Sequence, residues 1–238
     1  MTHKPMPGWM RDVASAVPHV LAHQLTSFRP PPGGTPRAAS VLILFGAGPR
    51  GAEVLLLERA ADMRAHPGQV AFPGGSQDVA DADAVAAALR EAEEETGLDP
   101  SGVEVVGVLP GLWLPATDFL VTPVIGWWHT PITVRAVDPA ETASVHLVPV
   151  DVLLDPAHRG RVRHPSGYVG PAFRVDEILV WGFTAGVLAR LFGLLGWERE
   201  WDHDRFFELP AEALAGSLRD LAGRGATAGV ATAEDGRR

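Results

Sequence analysis

Apolar residues recur along this chain in two rhythms, and the points where one gives way to the other divide it into elements. Residues 10–26 carry Val13, Val17, Val20, Leu21 and Leu25 near helical spacing, with Pro18 splitting the run in two. A linker rich in Pro and Gly occupies 28–37. Residues 38–45 (AASVLILF) and 53–59 (EVLLLER) are β-type runs on either side of GAGPRGA, which predicts a hairpin. Residues 70–72 predict a short strand that leads into a glycine pair. Over 84–96 the period changes to that of a helix, with Val85, Ala88, Leu89, Ala92 and Thr96 on one stripe. Strands are expected again at 103–109, 120–128, 133–137 and 145–148, with GLWLPATD as a loop between the first two. A short helix over 149–154, a hairpin over 161–174, a helix over 183–195 and a weak helix over 211–221 complete the pattern. The final fifteen or so residues have little to bury, and disorder is expected there. Strands on both sides of a central helix, with a second helix near the far end, predict an α/β fold: a mixed sheet sandwiched between helices. The expected organisation is a helical arm and linker over 1–37, one α/β domain over 38–208, and a loose tail over 209–238.

The central helix carries unusual charge. Glu91, Glu94 and Glu95 stand at i, i+3 and i+4, so their carboxylates gather on one face. They also lie near the C-terminal end, where each unfavourable term costs roughly a few tenths of a kcal/mol. Gly97 suits the left-handed stop of such a helix, and Asp81 or Asp83 can cap its start. Arg90 reaches Glu94 one turn on, and the remaining negative charge matches hard divalent cations, which prefer oxygen ligands. A run of like charge alone is ordinarily a solvated face. Gly74 and Gly75 upstream, and the complete run REAEEETGL, favour a site over a solvated face.

Composition narrows the function. The chain has 238 residues, 46% hydrophobic and 21% charged, which suits an ordinary globular protein. A net charge of −9 argues against nucleic acid as a partner, although a small phosphorylated ligand held by local arginines is compatible with it. Without cysteine there is no disulfide, zinc thiolate or cysteine nucleophile. The N-terminus lacks the apolar core of a secretory signal. Residues 178–197 approach the length of a membrane span but contain Arg190, so a buried helix is the better reading. A cytoplasmic protein without membrane attachment is expected.

These residues resemble the Nudix hydrolases, whose signature is a glycine, five residues, a Glu, seven residues, then Arg-Glu, an apolar residue, any residue, Glu-Glu, any residue, Gly and an apolar residue. Arg90, Glu91, Ala92, Glu94, Glu95, Gly97 and Leu98 match the second half. The first half departs from it: Gly75 is followed by five residues and Asp81, then by eight residues before Arg90. This inserted residue resembles the coenzyme A pyrophosphatase branch. So does the block Leu56, Leu57, Arg59, Ala60, Ala61, Arg64, Gly68 and FPGG at 72–75, although the hydroxyls usual in that block are missing and Ala60 stands at one of their places. VTPV at 121–124 and VWGFTAG at 180–186 agree, and the likeness runs over about 38–195.

The resemblance implies a Nudix-type α/β/α sandwich with a catalytic loop-helix-loop, and cleavage of the diphosphate of coenzyme A or its thioesters to 3′,5′-ADP and the 4′-phosphopantetheine part. It implies Mg²⁺ or Mn²⁺ on Glu91, Glu94 and Glu95, with a carbonyl of the Gly74-Gly75 loop, here assigned to Gly75. Arg90 is expected to orient Glu91 and Glu94, and the base is expected to be a glutamate of the REAEEETGL run or Glu141. Arg59 and Arg64 suit the substrate phosphates, with His66 beside them, unless they only pair with Glu58 or Asp62. Trp113 and Phe119 can stack an adenine, with an anchor for their own loop the better reading. The oligomeric state is open, and a homodimer is compatible with the sequence. The rivals are a Nudix hydrolase for another nucleoside diphosphate derivative such as ADP-ribose, a nucleoside diphosphate sugar or a damaged nucleotide, and a silent binding module. A Nudix-fold isopentenyl diphosphate isomerase is disfavoured because that chemistry uses a cysteine.

Overall fold

The computed structural model describes residues 3–63, 66–211, 213 and 214. At the N-terminus α1 (Gly8–Ala16) ends in a 3₁₀ turn over Val17–His19, with Pro18 at its start, and α2 (Ala22–Leu25) follows. Pro18 therefore splits the helical pattern as its missing N–H requires. Next come β1 (Arg37–Gly48), β2 (Gly51–Arg59), β3 (Val70–Ala71), β4 (Gly74–Ser76) and α3 (Ala84–Thr96). The second half consists of β5 (Val103–Val108), β6 (Leu112–Leu114), β7 (Phe119–Trp128), β8 (Thr142–Pro149), α4 (Val150–Leu154), β9 (Arg159–Arg163), β10 (Val169–Val175), β11 (Ile178–Val180), α5 (Gly182–Leu194) and β12 (Phe206–Phe207).

The main sheet is mixed. β1 runs parallel to β7 and antiparallel to β2 and β4, while β5 and β6 pair antiparallel with β7 and β8 with β2. Its central strand is apolar on both sides, as a strand covered on two faces must be. Leu42 and Leu44 point to a layer with Ala88 and Ala92 of α3, whereas Ile43 and Phe45 point to the opposite layer with Val187, Leu188 and Leu191 of α5. The expected sandwich is thus present: α3 covers one face, and α1, α4 and α5 cover the other. β9, β10, β11 and β12 form a second, smaller sheet against α5.

One feature of this topology builds the site. β1 and β2 pair only near their hairpin, from Phe45↔Val54 to Gly48↔Gly51, and then part. The chain over 70–76 fills the gap: β3 pairs with Leu57 and Glu58 of β2, then β4 pairs with Ala39, Ser40 and Val41 of β1. The N–H of Leu42 donates to Pro73 O at 2.8 Å where the segment crosses over. At Gly74 a Cβ would collide with Ser40 O and Val41, so no larger residue fits this crossing.

Three expectations need correction. Residues 133–137 form no strand, because the N–H of Arg135 and of Val137 donate instead to Thr96 O and Glu95 O, carbonyls that the end of α3 leaves free. GLWLPATD is more than a loop, since Leu112–Leu114 pairs with Phe119–Leu120–Val121 in a hairpin. The apolar stretch from Ile178 opens as strand β11, and α5 starts only after Trp181. No helix among the described residues is long and apolar enough to cross a membrane. The helix expected at 211–221 and the tail lie almost wholly outside the described residues.

Candidate active site

α3 has the bounds its periodicity predicts. Asp83 caps it, its Oδ1 accepting from the N–H of Val85 and of Ala86 at 2.9 Å, and Gly97 closes it in the left-handed conformation with φ 67°. Ala88, Ala92 and Thr96 are buried against the sheet, which fixes the helix rotation and turns the acidic side chains toward the Gly74-Gly75 crossing.

Arg90 organises the acidic face. Its Nε and Nη2 donate to Asp81 Oδ1 and Oδ2, both at 2.9 Å, and its Nη1 donates to Glu91 Oε1 at 3.0 Å and Glu94 Oε2 at 2.9 Å. Nη2 also reaches Ser76 O at 3.2 Å. One guanidinium thus ties Asp81, in the loop before α3, to two carboxylates of the helix. Asp81 is held below the usual carboxylate range, first by its hydrogen bond from Arg90 and then by the N–H of Asp78.

Glu95 faces the other way. Its Oε2 accepts from the Gly74 N–H at 2.9 Å, and its Oε1 stands 3.9 Å from Arg59 Nη1. Burial pushes this carboxyl up from the ordinary value of 4.5 to about 7, against the Gly74 hydrogen bond and the charge of Arg59, and with the charges of Glu91 and Glu141 raising it further. Burial is also the leading cause that raises Glu91. A Cβ on Gly75 would lie 2.6 Å from the Glu91 carboxyl carbon, so this glycine leaves open the space in which that carboxylate sits.

This donor set fits a hard cation in chemistry: two carboxylates raised by burial, a third beside them, and a glycine backbone against one of them. As they stand, the described residues show no group of three or more Asp, Glu or His gathered closely enough to hold an ion, since Glu94 is turned onto Arg90 and Glu95 onto Gly74.

The other expected residues are distributed as follows. Arg59 lies at the end of β2 with its Nε buried and without a hydrogen-bond partner. Arg64 lies outside the described residues. His66 sits at the turn between β2 and β3, with φ 54°. Glu141 is exposed, its carbonyl accepts from the Ala60 N–H at 2.9 Å, and its charge is felt at Glu95. Trp113 anchors its hairpin by donating from Nε1 to Asp118 Oδ1 at 2.9 Å, and Arg37 covers the Phe119 ring at 4.0 Å. The Trp113 ring is thus tied by its edge, and the Phe119 ring has a guanidinium over one face. Two links escaped sequence reasoning: the Gly74 N–H to Glu95, and the full engagement of Asp81 by Arg90. The second had a signal, since Asp81 stands where the signature has its first acid.

Residues 34–167 match the family model described as the NUDIX domain. The chain is similar to the uncharacterized Nudix hydrolase NudL of Escherichia coli (strain K12), with 43% identity over 162 residues that make up 65% of this chain and 81% of the relative. The protein of the same name from Shigella boydii serotype 4 (strain Sb227) gives 43% over the same length, with the same coverage. Among solved structures, that of the Nudix hydrolase RenU from M. Smegmatis superposes with a TM-score of 0.49 at 22% identity, covering 70% of this chain and 90% of that one. By its domain match and by these relatives, the chain belongs to the Nudix hydrolase family.

Proposed function

We propose that this protein is a metal-dependent diphosphatase that cleaves coenzyme A or its thioesters into 3′,5′-ADP and the corresponding 4′-phosphopantetheine. The observation that carries the reading is the meeting of two separate sequence blocks at Glu95: the acidic helix supplies the carboxylate, and the LLER and FPGG segments supply Arg59 and the Gly74 N–H around it. The branch assignment is supported by Asp81, which meets Arg90 in a two-bonded pair despite the extra residue between Gly75 and Arg90.

Glu91, Glu94, Glu95 and the Gly75 carbonyl would hold Mg²⁺ or Mn²⁺. Bound there, the ion neutralises diphosphate charge and lowers the pKa of water. Arg90 fixes the direction of Glu91 and Glu94. Arg59, with an unmet buried donor, binds a phosphate oxygen of the substrate. Glu141, exposed and near Glu95, accepts the proton of the attacking water.

The test is turnover of coenzyme A, ADP-ribose and nucleoside diphosphate sugars by the full chain with Mg²⁺ or Mn²⁺, with products identified by mass. Coenzyme A is expected to be preferred, and Glu94→Gln and Glu95→Gln to abolish turnover in folded protein. Absence of a preference for coenzyme A removes the substrate assignment, and near-normal turnover by both variants removes the metal assignment.

A further inference from the structure

A second cleft lies on the opposite side of the main sheet from α3. It has a volume of about 670 Å³ and lies where β9 and β10 meet the second half of α5, with Arg159, Arg161, Gly170, Arg190, Glu198 and Trp201 among its walls. α5 packs on the Ile43 and Phe45 face, whereas the acidic helix packs on the Leu42 and Leu44 face, so the cleft is separate from the acidic site.

Arg159 is the reason to read this cleft as a binding site. Its side chain is 1% exposed, and its guanidinium lies 5.1 Å from the Phe173 ring and 4.7 Å from the Trp201 ring. These aromatic contacts take up none of the N–H donors along its edge. That edge is not satisfied: Nη1 stands 3.0 Å from Glu198 Oε1 without the alignment of a hydrogen bond, and Nη2 has no partner. A buried guanidinium with open donors is costly unless something completes it.

The neighbours show what would complete it. Arg161 leans on the Phe206 ring at 5.3 Å, and Arg190 makes one long contact of 3.5 Å to Gln24 O. Neither forms an ion pair among the described residues. Three guanidinium groups therefore face one carboxylate, Glu198, on a chain whose net charge is −9. The surplus of two positive charges suits a phosphate dianion better than a carboxylate, and guanidinium forks match its oxygens. Trp201 adds an aromatic wall to the same cleft. We infer that this cleft binds the phosphate group of a small phosphorylated molecule, as a second site independent of the acidic helix.

The experiment is calorimetric titration of the full chain, with chelator present to keep the acidic helix free of metal, using inorganic phosphate and phenyl phosphate as probes. Saturable binding is expected, weakened about tenfold or more by Arg190→Gln and by Arg161→Gln, since each removes a charge-assisted donor. Both residues are on the cleft rim, so these variants keep the fold and any metal-dependent hydrolysis. Glu95→Gln is expected to bind the probes as the parent does. Tighter binding of phenyl phosphate marks an organic phosphate as the ligand, and equal binding marks free phosphate; either supports the site. Failure of both probes to bind, unchanged affinity in both arginine variants, or loss of binding in Glu95→Gln overturns it.

Discussion

Arg90 and Asp81 are joined by two parallel hydrogen bonds, Nε to Oδ1 and Nη2 to Oδ2, each 2.9 Å long. The same guanidinium holds Glu91 and Glu94 through its remaining nitrogen, so Asp81 sets the position from which Arg90 aims both glutamates. Asp81→Asn keeps the size of the side chain but replaces one acceptor with a donor facing Arg90. Groups that orient metal-binding carboxylates are typically worth about 10–100-fold in activity or metal affinity. A loss of that size in kcat/KM is expected, in protein whose far-ultraviolet circular dichroism is unchanged. Activity within twofold of the parent would show that Arg90 holds its aim without Asp81.

The two adjacent glycines should fail in different ways. At Gly74 the obstacle to a methyl group is backbone, Ser40 O and the Val41 Cα, which cannot yield without moving β4 from β1. Gly74→Ala is therefore expected to destabilise the fold, by about 1–3 kcal/mol or more for such overpacking, as read from urea unfolding. At Gly75 the obstacle is the Glu91 carboxyl group, the far end of a flexible side chain. Gly75→Ala is expected to leave the unfolding midpoint nearly unchanged while removing most metal-dependent hydrolysis. Equal loss of stability in the two variants would contradict this division.

The sequence was most informative where one physical period ran unbroken. Residues 84–96 alternate apolar and charged faces with a cap before and a glycine after, and α3 has those bounds. The 133–137 segment is β-branched too, but its N–H groups are taken by the end carbonyls of α3, a tertiary claim that no local pattern shows. Ile178 to Val180 was hidden for a different reason: a buried strand followed directly by a buried helix reads as one apolar run. At the site, the types and spacing of Arg90, Glu91, Glu94 and Glu95 were legible. The partnership of Glu95 with Gly74 was not, because it depends on how β1 and β2 part to admit 70–76.

Glu95 carries a pH dependence with a definite sign. In the metal-free folded chain its carboxyl is raised from 4.5 to about 7, chiefly by burial, so between those values the folded state holds a proton that the unfolded state has released. Stability then declines as pH rises across that window, because the unfolded state binds fewer protons. Glu91 is raised by the same cause and adds to the slope. Thermal unfolding in chelator from pH 5 to pH 8 should show a midpoint that falls more steeply with pH in the parent than in Glu95→Gln. Parallel curves would mean that Glu95 is ionised in the folded chain throughout.

The N-terminal segment offers the clearest test of where the domain begins. Its pattern reads as an arm followed by a linker, yet Met10 and Val13 of α1 are 0% exposed and lie in the same core layer as Ile43, Phe45 and Trp127. Trp9 meets Phe45, Trp127 and Trp197 edge-on, with centroids 6.2, 5.7 and 6.3 Å apart. Lys4 donates from Nζ to Ala47 O at 2.8 Å, and its N–H donates to His129 O at 2.7 Å, so the chain is fastened to β1 and to the end of β7 before α1 begins. An appendage would tolerate Met10→Ala within about 0.5 kcal/mol, as most exposed positions do. A core methionine loses both transfer energy and packing, about 2–5 kcal/mol. Urea unfolding of Met10→Ala distinguishes the two, and the larger loss is expected. Because Ile43 and Phe45 belong to the strand whose other end pairs with Gly74 and Gly75, residues 8–17 then count as part of the framework that holds the acidic site.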